Sequence, residues 1–414
     1  LTGAVGSIQV DKVQGISVKS VDQMLQGRTS GLYMVQNSGM PGASSTVRIR
    51  GGNSISGGNE PLYIIDGMPV YPSADASQTA LSPLNSIPTS DIESIEVLKD
   101  ASSTAIYGSR GANGVIIVTT KKGKSGKTSV AFDAYWGIQN IYKKYDLLDS
   151  RSFEKLANEA LVNSGGAAIY DESLTPATTD WQDLTSNKNA LTQNYQLTVS
   201  GGNDKTTYFV SGNLLLQDGI IIGSDFGKGS FRINLGQQIN KWLKTGVSVN
   251  LSYSRSNGVV TNSEGGFASS ITSWALEMNP ALPVRNESGD YIYENNLTTT
   301  NNVDNPVQDA YEAKNRNTSF RTLANAYLEW VPVKNLTFKT SIGVDYFYIK
   351  DQAFAPGEIK RAESNGGYAS VGNRDGYNWV WENTVNYTNT FEKHTISALA
   401  GMTAQAFVSE NSAV

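Results

Sequence analysis

Cysteine is absent from the 414 residues and histidine occurs once. Without thiols there is neither a disulfide framework nor thiolate metal ligation. The lone His394, in a predicted tight turn, leaves no histidine-based metal centre and no hydrolase triad. No apolar run reaches the roughly 18 residues of a spanning helix. A membrane could then be crossed only as a closed β-barrel, because in lipid every backbone polar group needs a partner inside the protein. The net charge of -5 is small for this length, so the chain as a whole has no nucleic-acid-binding footprint. It opens at Leu1 without a basic and apolar leader, so any secretion signal is expected to be removed or to lie upstream.

What is present is Gly 40, Tyr 20 and Trp 7, with apolar residues at only 39%. Many short strands joined by Gly and Asn turns suit that composition better than helices do. Up to about Lys122 the pattern changes every few residues, as in a compact α/β unit. "VDQMLQGRTSG" starts as a helix and stops at Gly27, "STVRIRGG" alternates as a strand, and "PLYIIDGMPV" is broken by the turn pair Asp66-Gly67. A short helix around 90–92, a strand over 94–99, a helix over 101–107 and a strand over 114–121 are expected next.

Beyond Lys127 the pattern becomes uniform. In "LTFKTSIGVDYFYI", Leu336, Phe338, Ile342, Val344, Tyr346 and Tyr348 share one face, with Lys339, Ser341, Gly343 and Asp345 on the other. "LKTGVSVNLSYSRS" separates Val247, Val249, Leu251 and Tyr253 from Gly246, Ser248, Asn250 and Ser252 in the same way. Roughly nine such strands are predicted, many near the 9 to 11 residues of a tilted membrane strand. Their connections alternate: long at 140–192, tight at "GGNDK", intermediate at "LQDGIIIGSDFGKG", tight at "NKWLK", long at 257–318, short at "VPVKN", long at 351–376, tight at "FEKH". Long and short loops in alternation indicate an up-and-down membrane barrel. Trp136, Tyr253, Tyr327, Trp330, Tyr346, Tyr348 and Trp381 are expected near strand ends, as interfacial girdles require.

The glycines of "IYGSRGANGVIIVT" resemble a phosphate loop, but a dinucleotide site needs a strand before its glycines and a helix after them. Here the order is reversed, and Gly108, Gly111 and Gly114 are read as a helix-to-strand turn. "KKGKSGKTS" fails as a P-loop, since Lys121 stands where its first glycine belongs. Asp91/Glu93 and Glu96/Asp100 are read as surface ion pairs beside Lys99 and Arg110, not as acid and base. No catalytic constellation, cofactor site or metal site is found. Arg48 and Arg50 are expected on one strand face, docking against acidic or polar groups of a barrel wall, with Arg110 also free to reach it.

"STVRIRGGNSI", "EPLYIIDGMPV" and "IESIEVLKDASSTAIYGSRGANGVIIVTTKKGK" together resemble the plug domain of TonB-dependent outer-membrane transporters, in the variant of the SusC/RagA-like family of Bacteroidota. The features carrying the resemblance are Arg48, Arg50 and Gly51, Asp66 and Gly67, Glu96, Lys99 and Asp100, and Tyr107, Gly108, Arg110, Gly111 and Gly114. The resemblance implies an α/β plug domain over 1–125 inside a membrane β-barrel of the 22-stranded type, with 126–414 supplying only the first part of the wall. It further implies TonB-driven import of oligosaccharides or peptides, an inner-membrane energising complex, and a SusD-like surface lipoprotein as lid. Asn53, Ser54 and Asn59, with Tyr71 in the stretch Val70–Leu84, are the candidate substrate-facing positions. A TonB box, a carboxypeptidase-like domain or a signalling domain is expected, if anywhere, before Leu1. The alternatives are a receptor for a siderophore-like or signalling ligand in the same architecture, and a non-transporting adhesin or structural β-protein.

Overall fold

The computed structural model describes residues 5–10, 21–36, 39–43, 45–55, 58–70, 83–171, 173, 176–258, 270–295, 302–392 and 394–414. Its first part is built on a five-stranded sheet in the order β1-β6-β7-β4-β5: β1 is Val5–Gln9, β4 Leu62–Ile65, β5 Met68–Val70, β6 Ile92–Leu98 and β7 Val115–Thr120. β4 and β7 run parallel, and the other pairs are antiparallel. Ile95, Val97, Ile116 and Val118 are fully buried in the central strands, and α1 (Val21–Leu25) adds Val21 and Leu25 to the same core. β2 (Leu32–Gln36) and β3 (Ser45–Ile49) form a separate hairpin ribbon. β4 and β5 join through Asp66 at φ 49 and Gly67 at φ 88, so both central turn residues have the positive φ that a two-residue hairpin demands. The expected helix over 101–107 is α2 (Ala101–Thr104) followed by a 3-10 segment Ala105–Gly111, which Gly108 kinks at φ 60, ψ -147.

Five residues, 121–125, lead into a nine-stranded antiparallel sheet whose neighbours follow chain order. Its strands are β8 (Gly126–Gln139), β9 (Ala190–Gly202), β10 (Thr206–Asp218), β11 (Asp225–Asn240), β12 (Leu243–Gly258), β15 (Lys314–Val333), β16 (Leu336–Pro356), β17 (Gly367–Phe391) and β18 (His394–Ala413). They have 13 to 25 residues, well above the expected 9 to 11. The segment 351–376, expected as a loop, is mostly strand; only 357–366, with α7 (Lys360–Glu363), connects β16 to β17.

The alternation is inverted relative to a water-soluble sheet. Val247, Leu251 and Tyr253 are 42%, 36% and 52% exposed, whereas Asn250, Ser252, Ser254 and Ser256 are buried. Phe132, Trp136, Leu197, Leu214, Phe231 and Ile342 lie on the same outer face and are also exposed. A contiguous apolar exterior over a polar interior is the arrangement a bilayer requires. Two aromatic rows cross this exterior. Tyr195, Tyr253, Phe320 and Tyr348 lie toward the long connections; Trp330 and Phe338, with ring centroids 5.4 Å apart, lie toward the tight turns. From Phe320 to Trp330 along β15 is about 33 Å, which at a membrane-strand tilt gives a band about 25 Å tall. Tyr327 departs from the expected girdle: it pairs with Gly246 on the polar face and packs its ring over that glycine.

The long connections carry α3 (Ser150–Asn163), α4 (Trp181–Leu184), α5 (Ile271–Glu277), the short pair β13 (Glu294–Asn295) and β14 (Asn302–Val303), and α6 (Pro306–Glu312). Asp149, Asp180, Ser270 and Asn305 cap α3, α4, α5 and α6. Trp181, Ile271, Trp274, Met278 and Val303 form a small core of their own there. His394 opens β18 beside the tight turn and is exposed.

Candidate functional site

The chemistry concentrates where the N-terminal unit meets the polar face of the large sheet. Every wall residue in that seam has inward parity: Gln196, Ser211, Lys228, Arg232, Asn250, Leu323, Gly343, Asn378 and Val380 alternate with outward apolar neighbours on seven strands. Period-2 geometry therefore lets one strand hold lipid on one side and a folded unit on the other.

Asp91 closes the 3-10 turn Thr89–Asp91 and is 1% exposed. Its carboxylate accepts from Gln196 Nε2 at 2.8 Å and from Ser211 Oγ at 2.5 Å, and its carbonyl accepts from Lys121 N at 2.8 Å. Burial is the largest influence on this group and raises its pKa; the Ser211 bond, the Arg232 charge, the Gln196 bond and the Lys121 charge oppose the rise. This corrects the expectation of a surface ion pair: Asp91 is an anchor between the unit and the wall.

Asp66 is the second anchor. It accepts from Thr120 N at 3.0 Å, Thr120 Oγ1 at 2.6 Å and Arg232 Nη2 at 2.9 Å. Arg232 is 1% exposed and also contacts Thr120 Oγ1 and Ser248 Oγ. Nearby, Lys228 Nζ donates to the Asn85 carbonyl at 3.0 Å and Asn250 Nδ2 to the Ser86 carbonyl at 3.2 Å. On the far side, Asn378 Nδ2 donates to the Pro69 carbonyl at 2.9 Å. Leu323 and Val380 join the core of the N-terminal unit, so the seam has an apolar part as well.

The other sequence-predicted positions separate into two groups. Arg48 and Arg50 do not dock side by side on the wall. The strand ends at Ile49, Arg50 turns to φ 58, and its guanidinium pairs with Asp100 at 2.5 Å within the N-terminal unit. Arg48 lies near Gly52 and its charge reaches Glu60, whose carboxyl is raised chiefly by burial. Gly51 has φ 97, Lys99 Nζ lies 3.5 Å from Ser30 Oγ, and Glu96 sits in β6 opposite Ser7. Tyr107 packs beside Leu62, Ile64, Leu98 and Val115; burial raises its hydroxyl pKa, with the Glu382 and Glu96 charges adding to the rise. Arg110 Nη1 does meet the wall, at Gln405 Oε1 on β18. Gly108 and Gly114 both have positive φ; Gly111 does not, but a Cβ there would come within 3.0 Å of Thr104.

Asn53 and Ser54 are exposed, and Asn59 is half-buried. Asn59 Oδ1 accepts from the amides of Asn53 and Ser54 at 2.7 and 2.8 Å, and Asn53 Nδ2 reaches the Ala112 carbonyl at 3.2 Å. Tyr71 lies outside the described residues. Gln196, Ser211, Lys228 and Arg232 were missed by sequence reasoning; their one signal is a polar or charged side chain on the inward face of an alternating strand. Among the described residues no cluster of three or more His, Asp or Glu could hold a metal ion.

Residues 1–115 match the family model described as the TonB-dependent Receptor Plug Domain. A TonB-dependent receptor of Formosa agariphila is 36% identical over 99% of this chain and 40% of its own length. TonB-dependent receptor SusC of Bacteroides thetaiotaomicron is 31% identical over 89% of this chain and 35% of its own length. The chain thus spans about 40% of the length of the curated relatives it matches. Among solved structures, that of the RagAB peptide transporter superposes with a TM-score of 0.81 at 24% identity, covering 100% of this chain and 49% of that one, a likeness of fold.

Proposed function

The chain belongs to the SusC/RagA-like TonB-dependent receptors, and from that membership we propose that it supplies the plug and part of the barrel wall of an outer-membrane importer of oligosaccharides or peptides. The observation that carries the reading is the seam: a folded unit held on the polar face of a sheet whose other face is apolar. Such a unit would obstruct a polar lumen and detach once its hydrogen-bonded and charged anchors and the Leu323 and Val380 contacts are given up.

In this reading the plug is the gate, and TonB, energised from the inner membrane, pulls on its N-terminal side. β1 supports that role, since among the described residues it is an edge strand paired with β6 alone, and its loss would leave the other four strands of the plug sheet paired. A nutrient held from outside by the long connections and the Asn53–Asn59 loop would pass once the Asp66 and Asp91 anchors release. A SusD-like surface lipoprotein is the proposed lid. The test is deletion of the gene followed by uptake of labelled polysaccharides and peptides. Loss of one nutrient class, reproduced in the parent strain by a protonophore, is expected. Unchanged uptake and growth on every glycan and peptide supplied would overturn the reading.

A further inference from the structure

The apolar exterior of the large sheet is not smooth. A groove of ≈ 530 Å³ crosses β9 to β12 on the face turned away from the plug. In the strand register Gly212 lies between Leu197 and Phe231, and Gly229 between Leu214 and Tyr253, so two bare backbone positions form a floor between large side chains. A Cβ at either glycine would meet nothing within 4 Å, neither has positive φ, and the ladders run without a bulge there. Neither packing nor backbone conformation calls for glycine. A glycine inside a strand weakens it, and where no bulge or bend explains it, it marks a close approach from outside. Gly227, directly across from Arg255, carries the floor toward the rim. At that rim the exterior turns basic. Beyond the aromatic row of Tyr253, Phe320 and Tyr348, the exterior positions of β12, β15 and β16 hold Arg255, Lys314, Arg316 and Lys350 and no acidic residue. Asp218, Asp225 and Asp375 flank this patch on β10, β11 and β17. Asp225 already accepts from Asn257 Nδ2 at 2.8 Å, and Asn257 Oδ1 accepts from Arg316 Nε at 2.9 Å.

We propose that this face seats one phosphorylated, acylated glycolipid of the lipid A type, with an acyl tail in the groove and the phosphate among the four cations. An apolar groove that ends in cations at headgroup level matches an amphiphile with an anionic head. The dimensions agree: Gly212 to Arg255 is about 16 Å across the face, close to half of the roughly 30 Å hydrocarbon core and so to one leaflet. Charge selects the head. A phosphomonoester carries about -1.5 to -2 near neutral pH, which suits a patch of four cations better than the single charge of a phosphodiester lipid, and Arg holds phosphate by paired hydrogen bonds. The side selects the leaflet. The long connections, which mark the outer end of a membrane barrel, leave from this end of the strands, and the phosphomonoester lipid of an outer leaflet is lipid A. The proposal rests on the outer-membrane reading for its leaflet and on no particular nutrient.

The test is native mass spectrometry of the delipidated full-length receptor in detergent, titrated with monophosphoryl lipid A, its dephosphorylated form, and phosphatidylglycerol. Monophosphoryl lipid A should bind saturably, one to one, and more tightly than the other two. Gly229→Leu fills the groove and should weaken binding about tenfold or more, through the tail contact it displaces. Its side chain enters open space, so heat-modifiable mobility on gels should be unchanged, which guards against misfolding. Arg255→Gln with Lys350→Gln should weaken binding about thirtyfold and erase the preference for the phosphorylated form. No saturable binding, equal binding of phosphatidylglycerol or of the dephosphorylated form, or binding indifferent to either set of substitutions overturns the proposal. Recovery as a dimer that Gly229→Leu dissociates would mean that a second copy covers the groove, and would overturn it too. Failure of the outer-membrane reading would appear separately, in cell fractionation.

Discussion

Neutralising one member of the Asp66–Arg232 pair should loosen the plug far more than replacing both. The two side chains are 12% and 2% exposed with Nη2 and Oδ2 2.9 Å apart, so either charge left alone stays out of water. In Arg232→Met, Asp66 retains its two bonds from Thr120, which places the loss near the lower end of the roughly 3–5 kcal/mol typical of a broken buried pair. In Asp66→Asn the turn survives, since Asn tolerates positive φ. There Arg232 loses its ion-pair partner and its Nε has none, but it keeps its hydroxyl contacts and the nearby Asp91 charge, which places the loss in the same range. The double variant removes both charges and should lie within about 1–2 kcal/mol of the parent, a coupling of about 4 kcal/mol or more. The assay is the urea concentration at which the full-length receptor in a planar bilayer begins to pass current as the plug unseats. With a slope of about 1–3 kcal/mol per molar for a domain this size, each single variant should lower the onset by about 1–5 M. Additive single effects, or an onset unmoved by either variant, would refute the anchor role.

Burial raises the Asp309 carboxyl to about 6 from the ordinary value of 3.8, ahead of the opposing Arg361 charge and the reinforcing Asp304 charge. The folded state then holds this proton more tightly than the unfolded state, so protonation favours folding and the advantage is lost as pH rises from about 4 through 6. Hydrogen exchange in α6 should be slower at pH 5 than at pH 7 after correction for intrinsic rates, and Asp309→Asn should remove the difference. Gly114→Ala should destabilise the plug by about 2 kcal/mol or more, because φ is +88 and the new Cβ would meet Ile49 Cδ1 at 2.6 Å. Gly108→Ala, in open space but at φ +60 and ψ -147 where an L side chain is strained, should cost at least about 1 kcal/mol, and neither variant is expected to alter nucleotide binding. Urea titration of plug unseating ranks the two glycines; equal effects would contradict the close-approach argument.

The alternation beyond Lys127 was legible because one face of each strand must be apolar across the bilayer, and this is the signal that period-2 geometry exposes. It fades at the rims. "YIKDQAFAP" has polar side chains on both faces where β16 leaves the apolar band, which is why the strands were read too short. The plug turns were legible from Asp66-Gly67 and Gly108, whose backbones need positive φ. Partners distant in sequence were not: Asp91 in "PTSDIES" looks like any hydrophilic turn until Gln196 and Ser211 surround it. Arg50 misled for a local reason, since one residue at positive φ redirected it from the strand face to Asp100.

The link over 121–125 joins the last plug strand to the first wall strand with five residues, which even fully extended reach about 17 Å. Gly123 lies so close to the Tyr208 backbone that a Cβ would collide with it, so part of that leash is already laid along the wall. The N-terminal unit is therefore tethered to the wall close to its last strand. If the proposed import reading holds, the β7 end travels no farther from the rim than the leash allows, and a path would open by deformation of the plug around that fixed point. The same leash keeps the released plug close to its seat, making re-closure an intramolecular search over a short distance that needs no partner to return it.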